Sequence, residues 1–159
     1  MMNKKIKYII KSALIASVYL ALTILFAPIS YSLMQVRIAE ALGIFAYFTP
    51  AAIPGLALGC LLANLSSPFG LIDIVFGTLA TALSAYVATK IKNKFLVPLP
   101  YVLINMVIIG YVLSYMLQVK FIYAALWVAL GEAIAVYIIG LPLLLLIEKN
   151  KTLNKFFKD

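Results

Sequence analysis

Apolar residues in this chain run in long blocks separated by short polar breaks. The blocks fall at about 8–27, 36–65, 72–90, 98–117 and 123–147, and roughly 20 apolar residues is the length that carries a helix across the hydrocarbon core of a bilayer. The pattern therefore predicts transmembrane helices. The second block differs from the rest because it is broken and charged: Arg37 and Glu40 stand three residues apart, and Pro50 and Pro54 interrupt the run. It holds enough sequence for one long tilted span or for two short helices of roughly 20 Å each.

The lysines choose between these readings. They cluster at Lys4, Lys5, Lys7 and Lys11, at Lys90, Lys92 and Lys94, and at Lys149, Lys151, Lys155 and Lys158. Such clusters mark cytoplasmic segments. One crossing by the second block would leave the middle cluster and the tail outside, whereas two crossings put all three clusters inside. The expected architecture is thus an all-α integral membrane protein, a single domain over 1–159 of six transmembrane helices at about 8–27, 36–49, 51–65, 72–90, 98–117 and 123–147. The second block turns near Thr49 and both termini are cytoplasmic. A re-entrant hairpin over 36–65 has the same parity and stays open.

Composition agrees. With 65% apolar and 11% charged residues and a mean hydropathy of +1.11, the chain is no ordinary soluble domain. The net charge of +8 does not indicate nucleic acid, because lysines at span ends are accounted for by orientation and by anionic lipid headgroups. The single Cys60 forms no internal disulfide and reads as a small packing residue. Lysines ahead of the first block suggest a secretory signal, but the apolar run is long for one and no small-x-small cleavage site follows it.

Within the first span Ala13, Ser17 and Ala21 recur every four residues. They make a smooth strip that lets another helix approach closely, in this chain or in a partner. The polar residues of the later spans sort by depth. Arg37 and Glu40 open the second span from outside, Asn64 closes the third, Asp73 begins the fourth, and Glu132 hangs about 12–14 Å below the outer end of the sixth by the helical rise. Asp73 is also where a helix dipole favours a carboxylate, and Gly77, Ala80 and Ser84 on its face leave room beside it. Ala125, Ala129 and Ala135 make a methyl-lined hollow around Glu132. Asn105 in the fifth span must find partners, in a neighbouring helix or in a ligand. Trp127, the only tryptophan, is a further candidate contact.

These side chains converge on one outward-facing pocket, while the inner half offers chiefly Thr81, Ser84 and Asn105, too little for a polar path across the membrane. If Arg37 neutralises Glu40, Asp73 and Glu132 are left without a cation. A buried carboxylate needs a proton or hydrogen-bond donors, so the pocket calls for a ligand rich in N–H groups or bearing an ammonium.

The order QVRIAEAL at 35–42, FTPAAIPGLALGCLLANL at 48–65, GLIDIVFGTLATALSAY at 70–86 and GEA at 131–133 resembles the queuosine-precursor, QueT-like family of S components, the substrate-binding subunits of energy-coupling-factor (ECF) transporters. The resemblance covers most of the chain. It implies the S-component bundle and a partner module of one transmembrane T subunit and two ABC ATPases. In S components an alanine-rich strip on the first helix docks on the membrane subunit of that module; Ser17 at the middle of the strip is a mild departure. It also implies a ligand, 7-aminomethyl-7-deazaguanine (preQ1) or a related deazaguanine. The guanine edge presents two donors side by side to a carboxylate. On that reading Glu132 takes the edge, and Asp73 or Glu40 takes the cationic arm.

Enzyme signatures are missing. There is no histidine, phosphate loop, G-x-S-x-G or cysteine pair, so no metal site and no cofactor is expected and uphill transport would need a partner's energy. Three alternatives stand beside the deazaguanine reading: an S component for another vitamin or nucleobase, a membrane packing subunit that binds nothing, and a small integral-membrane enzyme whose Glu40, Asp73 and Glu132 hold a divalent metal. The expected location is the prokaryotic plasma membrane.

Overall fold

The computed structural model describes residues 3–32 and 35–158, and every regular element among them is a helix. Helix α1 covers Lys4–Leu25 and is opened by Asn3, whose Oδ1 accepts a hydrogen bond from the Lys5 N–H at 3.0 Å. A single turn, α2, follows at Ala27–Ser30, with Pro28 in its first turn. The broken block then folds as a 3₁₀ helix over Ile38–Tyr47 and an α-helix, α3, over Ala52–Asn64. Pro54 stands third in α3, where its missing N–H has no intrahelical acceptor to lose.

Helix α4 spans Gly70–Ala88 after a turn in which Gly70 takes φ +63°, and α5 spans Leu99–Leu117, with proline at its start and Gln118 in the left-handed region at its end. The last apolar block is a continuous helical run in three registers: α6 at Phe121–Ala133, a π-helical segment at Ile134–Gly140, and α7 at Leu141–Lys149. Pro142 explains the change of register. It supplies no N–H and crowds the carbonyl four residues back, and the wider π turn immediately before it absorbs both effects. Asn150 then caps α8, Lys151–Lys158, through Oδ1, which accepts from the Thr152 and Leu153 N–H groups at 3.1 Å each.

The six-span expectation is met in part. Four helical runs are long and apolar enough to cross a membrane, Lys4–Leu25, Gly70–Ala88, Leu99–Leu117 and Phe121–Lys149, while the two pieces of the second block are shorter. Their lengths are about 20 Å each at ~2.0 Å per residue for the 3₁₀ helix and ~1.5 Å for α3. The turn between them is packed beside the start of α1: Ser12 Oγ donates to the Ala51 carbonyl at 3.0 Å and Tyr8 Oη to the Pro50 carbonyl at 3.5 Å. The block therefore descends from the end of the bundle where α4 begins and returns to it. Two helices were not expected, α2 and the tail helix α8.

The lysine-rich segments share one end of the bundle. Lys11 Nζ donates to the Phe157 carbonyl of α8 at 3.2 Å, and Lys94 in the α4–α5 loop donates to Glu148 at 2.6 Å, which holds the lysine pKa above its ordinary value. At the same end the Phe157 ring lies 4.4 Å from that of Phe45, so α8 closes the bottom of the broken hairpin.

Small residues set the interhelical distances. A Cβ on Gly110 of α5 would come within 2.8 Å of the Ala125 backbone of α6, and one on Gly59 of α3 within 2.7 Å of Tyr19 of α1. The Tyr101 ring lies against Gly43 of the 3₁₀ helix, and its hydroxyl donates to the Gly43 carbonyl at 3.1 Å. Large apolar side chains such as Leu71, Leu79, Val107, Tyr111 and Ile138 point outward instead, as they do where the surroundings are lipid.

Candidate functional site

The charged residues of the broken block do not face lipid. Arg37, Glu40, Asn64, Asp73 and Glu132 are all at most 3% exposed, and Cys60, Thr81 and Tyr19 are fully buried with them. Five elements deliver this cluster. Arg37 precedes the 3₁₀ helix and Glu40 lies in its first turn, Cys60 and Asn64 sit one turn apart on α3, Asp73 and Thr81 lie on one face of α4, Tyr19 reaches in from α1, and Glu132 ends the buried face of α6.

Arg37 pairs with Asp73, its Nη2 3.8 Å from Oδ2, and not with Glu40 as the sequence suggested. The same Asp73 oxygen accepts a hydrogen bond from Ser67 Oγ at 2.6 Å, and the guanidinium lies 5.7 Å from the centre of the Tyr31 ring. Glu40 is held by neutral donors: Tyr19 Oη at 2.5 Å and Thr81 Oγ1 at 2.7 Å, both on Oε1. Glu132 is buried, and its Oε2 has no hydrogen-bond partner inside the protein. Asn64 Nδ2 donates to the Asp73 backbone carbonyl at 2.9 Å, and this contact depends on Gly77, where a Cβ would stand 2.5 Å from that nitrogen.

Cys60 is a correction. Its sulfur is no mere packing atom: it is a weak acceptor for Asn64 Nδ2 at 3.4 Å and Arg37 Nη1 at 3.5 Å, and it lies 3.4 Å from Thr81 Oγ1, whose one proton goes to Glu40. Among the described residues no group of three or more His, Cys, Asp or Glu is placed to hold a metal ion.

The cluster leaves polar atoms buried without a hydrogen-bond partner inside the protein. On the donor side these are Arg37 Nε and Nη2, the latter in the ion pair with Asp73, and on the acceptor side Glu40 Oε2, Asn64 Oδ1, Asp73 Oδ1 and Glu132 Oε2. Buried polar atoms are nearly always hydrogen-bonded, and one left alone costs about 1–3 kcal/mol. Donors and acceptors alike are thus left unsatisfied within this cluster. The cluster is closed over rather than open to the outside, since its members are almost fully buried.

Two candidates remain. Asn105 is buried, and its amide donates to the Tyr101 carbonyl of its own helix at 2.9 Å. Trp127 is 42% exposed, and it lies about 140° round the helix from Glu132 at 3.6 residues per turn. Sequence reasoning missed Tyr19, Ser67 and the central place of Cys60. Thr81, read from the sequence as part of the inner half, instead joins the cluster through its bond to Glu40; the signal for it was the recurrence of 73, 77 and 81 every four residues on one face of α4. The strip of Ala13, Ser17 and Ala21 is exposed along its whole length, so it serves no packing within this chain.

An all-helical bundle with an apolar exterior and, among the described residues, four helical runs long and apolar enough to cross a membrane is the architecture of a multi-pass membrane protein. The chain belongs to the QueT transporter family, whose family model matches residues 9–149. That membership sets the enzyme alternative aside. No curated protein and no solved structure matches the chain.

Proposed function

We propose that this protein is the substrate-binding S component of an ECF-type importer, and that it captures preQ1 or a closely related deazaguanine from outside the cell. The observation that carries the reading is the set of unpartnered atoms in the cluster. Four acceptors, on Glu40, Asn64, Asp73 and Glu132, stand with donors on Arg37. A deazaguanine offers the complement, donors along its N1–H and 2-amino edge and acceptors at its carbonyl and one ring nitrogen. Glu132 takes the donor edge. A carboxylate whose Oε2 is buried without a partner gains most from a ligand that brings N–H groups to it.

The lysine clusters support the orientation proposed here, with both termini and the α4–α5 loop in the cytoplasm. The exposed Ala13, Ser17 and Ala21 strip is the surface for the transmembrane subunit of an energising module with two ATPases, since this chain carries no nucleotide site of its own.

Calorimetry of the purified chain against preQ1, its nitrile relative, queuine, adenine and a panel of vitamins tests the reading. Binding of deazaguanines alone is expected, and Glu132→Gln should weaken all of them together. Loss of one charged hydrogen-bonding partner in a dry site costs about 2–5 kcal/mol, roughly 30-fold to several-thousand-fold in affinity. Unchanged affinity in Glu132→Gln, or heat only with a vitamin, would replace the ligand named here.

A further inference from the structure

We infer that Tyr19 and Thr81 are positioning residues that decide which part of a ligand Glu40 can take: together they fill one oxygen of its carboxylate and leave the other for a single donor. That role rests on the ligand proposed above. Tyr19 Oη and Thr81 Oγ1 both donate to Glu40 Oε1, at 2.5 and 2.7 Å, lengths typical of a hydroxyl bonded to a charged oxygen. A carboxylate has about four acceptor sites, shared between its two oxygens, so two donors saturate Oε1. Glu40 Oε2 is buried and has no hydrogen-bond partner inside the protein. A flat edge with parallel N–H groups needs a free site on each oxygen, whereas an ammonium needs only one. Glu40 is thereby fitted to the cationic arm and barred from the guanine edge.

The fold builds this arrangement from separate elements. Tyr19 and Thr81 are fully buried, Tyr19 on α1 and Thr81 on α4, while Glu40 belongs to the 3₁₀ helix. A carboxylate held by one hydroxyl could still swing about it. Two donors from different helices fix its direction. Tyr19 enters across Gly59 of α3, where a Cβ would stand 2.7 Å from that of Tyr19, so the glycine keeps the way in open. Each hydroxyl has one proton to give, and both go to Glu40. Neither hydroxyl is charged, so the pair orients the acid without neutralising it, and both act on the ligand through Glu40.

Calorimetry of the full-length chain in detergent tests this, with preQ1 and its nitrile relative as the probes. Tyr19→Phe and Thr81→Val each remove a hydroxyl and keep the shape; each should weaken preQ1 by about 5-fold and the nitrile, which has no ammonium, by no more than about twofold. Thr81→Ser keeps the hydroxyl and should recover most of the loss. In a Glu40→Gln background, where the charge is already gone, neither change should weaken preQ1 by more than about a further twofold. A side chain that only packs would weaken both ligands alike, and would do so in both backgrounds. If Tyr19→Phe does not fold, Thr81→Val and Thr81→Ser carry the same comparison. Equal loss of the two ligands, an undiminished loss in the Glu40→Gln background, or unchanged preQ1 affinity without the hydroxyls would each overturn the role and leave the ligand standing. Failure of the native chain to bind preQ1 would instead remove the ligand, and the role with it.

Discussion

Arg37 reaches across to Asp73 at the start of α4, at 3.8 Å, although Glu40 follows it by only three residues. The reason lies in the backbone. Arg37 is not yet helical, with φ −87° and ψ 90°, so it shares no helix face with Glu40. Its side chain crosses instead toward α3 and α4, and Glu40 turns to the hydroxyls of Tyr19 and Thr81. The one membrane-depth cation thus ties the broken hairpin to α4, and the acid beside it stays free of a direct ion pair.

Removing the Asp73 carboxylate should therefore leave a buried guanidinium uncompensated. Breaking a buried pair from one side costs about 3–5 kcal/mol, and at 3.8 Å, longer than a charge-assisted hydrogen bond, the low end is expected. Asp73→Asn should melt well below the native chain in detergent. The double variant Arg37→Gln with Asp73→Asn should recover part of that loss, because it leaves no lone charge. Strictly additive melting shifts would mean that the two side chains do not support each other.

Much of this was legible in the sequence, and what escaped has a physical explanation. Hydropathy and proline positions placed the fifth span at 98–117 against the observed Leu99–Leu117, and the fourth at 72–90 against Gly70–Ala88. Hydropathy is blind to hydrogen-bond register, so neither the 3₁₀ form of Ile38–Tyr47 nor the π segment before Pro142 was foreseen. The tail helix was hidden by its lysines, although Leu153, Phe156 and Phe157 fall at helical spacing. Charged residues announced the cluster, as charges at membrane depth do. Its neutral members did not, because a tyrosine or cysteine in an apolar run looks the same whether it packs or donates. Trp127 was misplaced for the opposite reason: tryptophan is as common on the lipid side as in a site.

Topology is open to direct measurement. Lys11 touches the backbone of Phe157, and Lys94 touches Glu148, so the N-terminal lysines, the α4–α5 loop and the tail share one end. A single Lys92→Cys, with Cys60 buried and inaccessible, should resist a membrane-impermeant thiol reagent in intact cells and react once the cells are opened. Reaction in intact cells would turn the bundle over and put the lysine-rich end outside, against the usual charge bias.

The strip on α1 gives a separation of functions. Ser17 is exposed, and its hydroxyl donates to the Ala13 carbonyl at 2.8 Å, so it makes no contact with the buried cluster. Ser17→Leu should add bulk where a partner helix would approach. Uptake and copurification with the energising module should be lost, while ligand affinity stays within about twofold, since additivity holds for sites without shared partners. Lost ligand binding with retained copurification would assign the strip to some other role.

The division of labour among the acids is the most discriminating test. Asp73 already has Arg37 and Ser67, so a ligand ammonium would bring it a second cation that it does not need. Glu40 has only neutral donors, both on Oε1, and its Oε2 has no partner. With preQ1 as the proposed ligand, its cationic arm is therefore expected on Glu40 in preference to Asp73. Glu40→Gln is a clean probe because the amide oxygen still accepts from Tyr19 and Thr81, while the negative charge is gone. It should weaken preQ1 by roughly 30-fold or more, as for a charged pair in a dry site, and weaken the nitrile relative, which lacks the ammonium, only a few-fold. Asp73→Asn should weaken the two ligands alike, acting on both through Arg37. The reverse pattern in calorimetry, discrimination in Asp73→Asn and none in Glu40→Gln, would move the arm to Asp73 while leaving the donor edge on Glu132.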